Sequence, residues 1–131
     1  MSRREIREQI FKLLFRTEFY KEEDLPEQRQ LFLDELGQEE NEDTHYIQQK
    51  YEDILSHLTE IDAMVNEVAL GWKTSRMGKV DLTLIRLAVY EIKFEEDVPQ
   101  GVAINEAVEL AKNYGTDDSS SFVNGILAKL V

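Results

Sequence analysis

Apolar residues in this chain recur at helical spacing and almost nowhere alternate, and that property excludes most folds. In the last quarter Ile104, Ala107, Val108 and Ala111 fall at i, i+3, i+4 and i+7, and Val123, Ile126, Leu127 and Leu130 repeat the pattern. Gly115 stands between the two stripes at the C′ position that ends a helix, and Asp117, Asp118, Ser119 and Ser120 are expected to cap the next one. Strict alternation over four to eight residues, the mark of a half-buried strand, does not occur. Both prolines, Pro26 and Pro99, sit at helix boundaries. The reading is an all-α fold of about seven helices.

The first helix starts after Ser2, where Ser2 and Glu5 fit a capping box, and turns Ile6, Ile10, Leu13, Leu14 and Thr17 inward. The second runs over 26–36, with Gly37 stopping it, and a polar stretch from Gln38 to Asp43 reads as a solvated loop. The third, about 44–58, groups Ile47, Tyr51, Ile54, Leu55 and Leu58. Thr59 is expected to cap a fourth, whose stripe is Ile61, Met64, Val65, Val68 and Trp72, with Gly71 ending or loosening its last turn. The fifth, about 80–94, is apolar nearly all round, which predicts a helix buried on several sides at the centre of the fold. Gly125 falls inside the seventh helix, where a close helix crossing would explain it.

A length of 131 residues suits one domain with a real core. The absence of cysteine excludes disulfides and thiolate metal sites. No apolar run approaches the ~18 residues of a membrane span, and no apolar leader is present, so a soluble cytoplasmic protein is expected. The net charge of −12 is uneven. Residues 1–16 carry five bases (Arg3, Arg4, Arg7, Lys12 and Arg16) against Glu5 and Glu8, whereas residues 17–62 carry fifteen acids against Lys21, Arg29 and Lys50. Overall acidity disfavours non-specific nucleic-acid binding, but a basic end on an acidic body leaves room for a local site assisted by a partner.

Catalytic chemistry finds little support. His45 and His57 are twelve residues apart, not the i, i+4 spacing of paired helical ligands, and read as surface histidines. No glycine-rich phosphate loop or nucleophile elbow is present, so no enzyme, metal or cofactor is expected. Three features are structurally awkward. Arg3, Arg4 and Arg7 place positive charge at a helix N-terminus, against the macrodipole; a screened, solvated end or a phosphate contact would each account for them. Phe11, Phe15 and Phe19 form a ridge roughly 100° around the first helix from its core face, either covered by the second helix or open to a protein partner. Phe122 lies off the Val123 face, either packed at the rim of the core or placed to stack on an unpaired base.

Several segments in order carry a family resemblance. Arg3-Arg-Glu-Ile-Arg-Glu8, Ile85-Arg-Leu-Ala-Val-Tyr-Glu91, the run from Val102 to Lys112 and the Phe122-Val-Asn-Gly125 run are similar to motifs of the NusB family of transcription antitermination factors. The resemblance covers nearly the whole chain, although about 21–50 matches no motif. It implies one NusB-like RNA-binding helical domain over residues 1–131, arranged as two packed three-helix bundles. It also implies binding of boxA, a single-stranded element of ribosomal RNA leaders, as a heterodimer with the ribosomal protein NusE, within an RNA polymerase antitermination complex. By position, Arg3, Arg4, Arg7, Thr116, Asp118, Ser119 and Phe122 would contact RNA, and Phe15 and Asp81 would face NusE. Two other readings stand beside this one. One is a homodimeric helical interaction module without RNA binding, which the acidic bulk favours. The other is the RNA-targeting module of a cytosine methyltransferase, for which 131 residues leave no cofactor domain.

Overall fold

The computed structural model describes residues 1–35 and 42–131. They form seven α-helices and no strand, in two compact units, Met1–Leu55 and Ser56–Val131. The expected stop at Leu36 and Gly37 and the expected loop from Gln38 to Asn41 lie outside the described residues. Glu42 and Asp43, expected in that loop, instead open a helix. None of the described helices is long and apolar enough to cross a membrane.

The first unit holds α1 (Arg3–Thr17), α2 (Leu25–Glu35) and α3 (Glu42–Ser56). The capping box forms as its sequence predicts: Ser2 Oγ accepts from the Glu5 N–H at 3.1 Å, and Glu5 Oε1 accepts from the Ser2 N–H at 3.5 Å. Ile10, Leu13 and Leu14 are buried, and Phe11 joins them. A short 3-10 turn, Glu22–Asp24, leads directly into α2, so Pro26 lies inside the first turn where its missing N–H is tolerated. Phe32 of α2 and Ile47, Tyr51 and Ile54 of α3 complete the apolar interior. Polar links tie the rims. Arg16 donates to Glu35 at 2.9 Å with its guanidinium carbon 5.2 Å from the Phe32 ring centre, and Arg29 pairs with Glu52.

The second unit holds α4 (Leu58–Val68), α5 (Lys79–Phe94), α6 (Gln100–Tyr114) and α7 (Ser119–Ala128). Nine of the sixteen residues of α5 are buried, as its all-round apolar pattern predicts, and it packs against α4, α6 and α7. Its polar residues are accommodated. The Thr83 hydroxyl donates to the Lys79 carbonyl at 2.7 Å, and Arg86 grips Asp62 of α4 with two bonds of 2.9 and 2.7 Å.

Four local expectations give way in this unit. Thr59 lies inside α4; His57 occupies the capping position without a side-chain cap bond. His57 is half-buried rather than superficial, stacked 4.1 Å from Phe94 with Nδ1 3.2 Å from Glu60. Trp72 is not on the α4 core stripe, because the helix ends four residues earlier at Val68; it is 56% exposed. Gly125 meets no close crossing, since a Cβ there would touch nothing within 4 Å.

Candidate nucleic-acid interface

At the start of α1, Arg3 and Arg4 are exposed and Arg7 is half-buried. Arg4 and Arg7 also interact within the protein, so a phosphate there would compete with existing contacts. The capping box engages the Glu5 amide, and the Ile6 amide donates to the Ser2 carbonyl at 2.9 Å. With the Ser2 and Glu5 amides taken up by the capping box, an anion at this end meets exposed arginine side chains and fewer open helix amides than the sequence suggests.

The link between α6 and α7 is built around a close approach. Gly115 has φ −97°, so it is not the left-handed C′ glycine the sequence predicts. Its role is steric: a Cβ would lie 2.4 Å from Ser119 Oγ, 2.5 Å from Ser119 Cβ and 2.8 Å from the Ala111 carbonyl. The Ser119 hydroxyl fills that space and accepts from the Thr116 N–H at 2.9 Å. Ser119 is thus buried and locks the turn rather than lining its surface. Asp118 takes the N-cap position of α7 but makes no side-chain cap bond, and the Ser119 hydroxyl turns back to the Thr116 amide ahead of the helix. Thr116, Asp117 and Asp118 remain exposed on the turn. One turn later Phe122 is half-buried, its ring 5.7 Å from Trp72 at an interplanar angle of 73°.

The residues expected to face a protein partner fall in different units. Phe15 is half-buried in α1, between Phe11 at 6.0 Å and Phe19 at 5.0 Å. The ridge grades from buried Phe11 to Phe19 at 56% exposure, so the interior takes one end and leaves the other open. Asp81 is half-buried in the first turn of α5, where a carboxylate favours the helix dipole. The sequence reading missed Trp72. The available signal was Gly71 immediately before it, which marks a helix end more often than the middle of a stripe.

The sequence profile of the NusB family matches residues 4–131. The chain belongs to the NusB family. A transcription antitermination protein NusB of Agathobacter rectalis is 57% identical over 129 residues, 98% of each chain. That of Lachnoclostridium phytofermentans is 50% identical over 131 residues, 100% of this chain and 99% of its own. Among solved structures, NusB of T. maritima superposes with a TM-score of 0.89 at 38% identity, covering 99% of this chain and 90% of that one. A crystal structure of the antitermination factors NusB and NusE in complex with double-stranded RNA gives a TM-score of 0.85 at 24% identity, over 98% of this chain and 94% of that one, which establishes the shared fold. NusB proteins are transcription antitermination factors and not enzymes.

Proposed function

We propose that this NusB-family chain binds boxA single-stranded RNA of ribosomal RNA leaders as a heterodimer with NusE. It acts in the cytoplasm, within an RNA polymerase antitermination complex, to suppress termination during ribosomal RNA transcription. The observation that carries the reading is the start of α1. Arg3 and Arg4 are exposed at the positive end of a helix in a chain of net charge −12, where their charges oppose the helix dipole. Guanidinium groups there suit phosphate oxygens. Thr116, Asp118 and Phe122 form a second RNA contact, with Ser119 holding the turn's shape, and Phe15 and Asp81 meet NusE. The protein partner adds surface and offsets the repulsion between an acidic body and a polyanion.

The test is a gel-shift series with boxA-like RNA and a scrambled control, each with and without purified NusE. Preferential binding of boxA, strengthened by NusE, is expected. Equal retention of both RNAs, or of neither, overturns the reading. Arg4→Ala is expected to weaken binding and to flatten the dependence of log affinity on log salt by about 0.7 for the lost phosphate contact. An unchanged slope removes Arg4 from the site.

The open end of the phenylalanine ridge favours a second reading, a homodimer without RNA. In that case Phe19→Asp turns a dimer into a monomer in sedimentation experiments while no RNA shifts the protein. A chain that sediments as a monomer at every concentration disposes of it.

A further inference from the structure

The segment joining α4 to α5, like the start of α1, is basic in an acidic protein. From Ala69 to Gly78 it carries Lys73 and Arg76 and no acid, in a protein of net charge −12. It also holds the one tryptophan of the sequence, Trp72. Trp72 and Leu70 are exposed by 56% and 80%. Apolar side chains that large at the tip of a loose loop would need no account, but this turn is firmly built.

Ala69 is buried, with its N–H on the Val65 carbonyl at 2.9 Å, and its own carbonyl accepts from the Trp72 N–H at 2.9 Å. Gly71 makes that reversal at φ +80°, a conformation unfavourable for any side chain. Beyond it, the Thr74 N–H donates to Asn66 Oδ1 at 2.8 Å, and Asn66 Nδ2 donates to Thr74 Oγ1 at 3.3 Å, clipping the segment back to α4. Met77 is buried at the far end. Two buried anchors, a positive-φ glycine and an asparagine clip therefore hold an indole outward. Its near-perpendicular contact with Phe122 occupies at most one face of one of the two rings, because edge-to-face pairs do not cover each other as stacked pairs do.

We propose that Trp72 stacks on an unpaired base of the bound RNA and that the exposed cations Lys73 and Arg76 hold the phosphates flanking that base. Rigid aromatic faces interleaved with cations are what a single strand requires, since every base has a π-face and every linkage a charge. The contact extends the Phe122 surface to a second aromatic and adds two cations to a turn whose own charges, Asp117 and Asp118, are both negative. The inference rests on the RNA reading above and adds to it a base subsite supplied by another segment of the chain.

Because the sequence has one tryptophan, the tryptophan emission of this chain, excited selectively over its tyrosines, reports Trp72 alone. The probe is a short boxA-like single-stranded RNA, compared with the same backbone carrying abasic positions, both with NusE present. Quenching of Trp72 emission by the base-bearing RNA and not by the abasic one is expected. Trp72→Ala should weaken RNA binding about tenfold and Trp72→Phe much less, with NusE binding unchanged. Replacing both Lys73 and Arg76 by Gln should flatten the salt dependence by about 0.7 for each. If gel shifts show RNA bound while Trp72→Ala leaves affinity unchanged, the stacking role is wrong and the RNA reading survives. Should Trp72→Ala instead weaken NusE binding alone, the turn faces protein and the proposal is overturned. Failure of the unaltered chain to bind RNA in any arm ends both.

Discussion

In the second unit one helix, α5, is buried along most of its length, with α4, α6 and α7 packed against it. Among the described residues of the first unit no helix holds that position. The buried residues of α1 are four of fifteen, α2 contributes only Phe32, and the five from α3 include Thr44 and Lys50. The units also treat buried polar groups differently. Glu91 of α5, 1% exposed, interacts within the protein. In the first unit the Tyr51 hydroxyl and the Arg29 Nε have no hydrogen-bond partner among the described residues. An interior organised around one enclosed helix has little slack, whereas one assembled from one-sided stripes leaves polar atoms stranded. The chain thus sets a rigid frame under the 116–119 turn and Trp72, and a more forgiving one under the arginines of α1.

The comparison breaks first at α5. Leu84 is fully buried, and Leu84→Ala should cost about 2–5 kcal/mol by lost apolar contact and an unfilled cavity. Urea denaturation measures this directly. A loss below about 1 kcal/mol would mean that the surrounding helices collapse into the space and that the second unit is not the rigid one. The close approach at Gly115 comes next. A methyl group there meets the Ser119 side chain at 2.4 and 2.5 Å and the Ala111 backbone at 2.8 Å, so Gly115→Ala should destabilise by about 1–3 kcal/mol. It should also weaken RNA binding, because the turn that presents Thr116 and Asp118 must shift. Unchanged melting would show that the Ser119 hydroxyl swings aside freely.

What was legible in the sequence follows the same division. Periodicity identified α5 as an enclosed helix and both terminal helices, because burial on a fixed face imposes spacing that survives any change in detail. The capping box at Ser2 was equally plain, being wholly local. The family itself was legible from ordered motifs, and the match over residues 4–131 bears it out. Illegible were features set by contacts between distant residues. Gly115 reads as a chain-reversal glycine until Ser119 is found beneath it, and the Asp and Ser cluster reads as a cap until that serine turns inward. Trp72 continues the α4 stripe perfectly on paper. Only the stop at Val68 and the Asn66–Thr74 clip move it from the core to the surface beside Phe122, fifty residues away in the chain.

The smallest effect tests the slack of the first unit. Tyr51 is 2% exposed, and its phenol is pushed up to about 12, chiefly by burial, with the Arg29 charge pulling the other way and Glu52 adding to the rise. In the unfolded chain the same group ionises near 10. Its contribution to stability is therefore intact below about pH 10 and is lost as pH rises through about 12, because the unfolded form gives up its proton first. Tyr51→Phe removes the stranded hydroxyl and the titration together. At neutral pH the variant should lie between unchanged and about 1 kcal/mol more stable, since no hydrogen bond is lost and the desolvation of an unpartnered hydroxyl is relieved. Above about pH 10 its advantage should widen with each step of alkalinity. Urea midpoints of both proteins across the alkaline range decide the matter. A variant less stable at neutral pH would mean that the hydroxyl has a partner in solution, and that the first unit is as fully satisfied inside as the second.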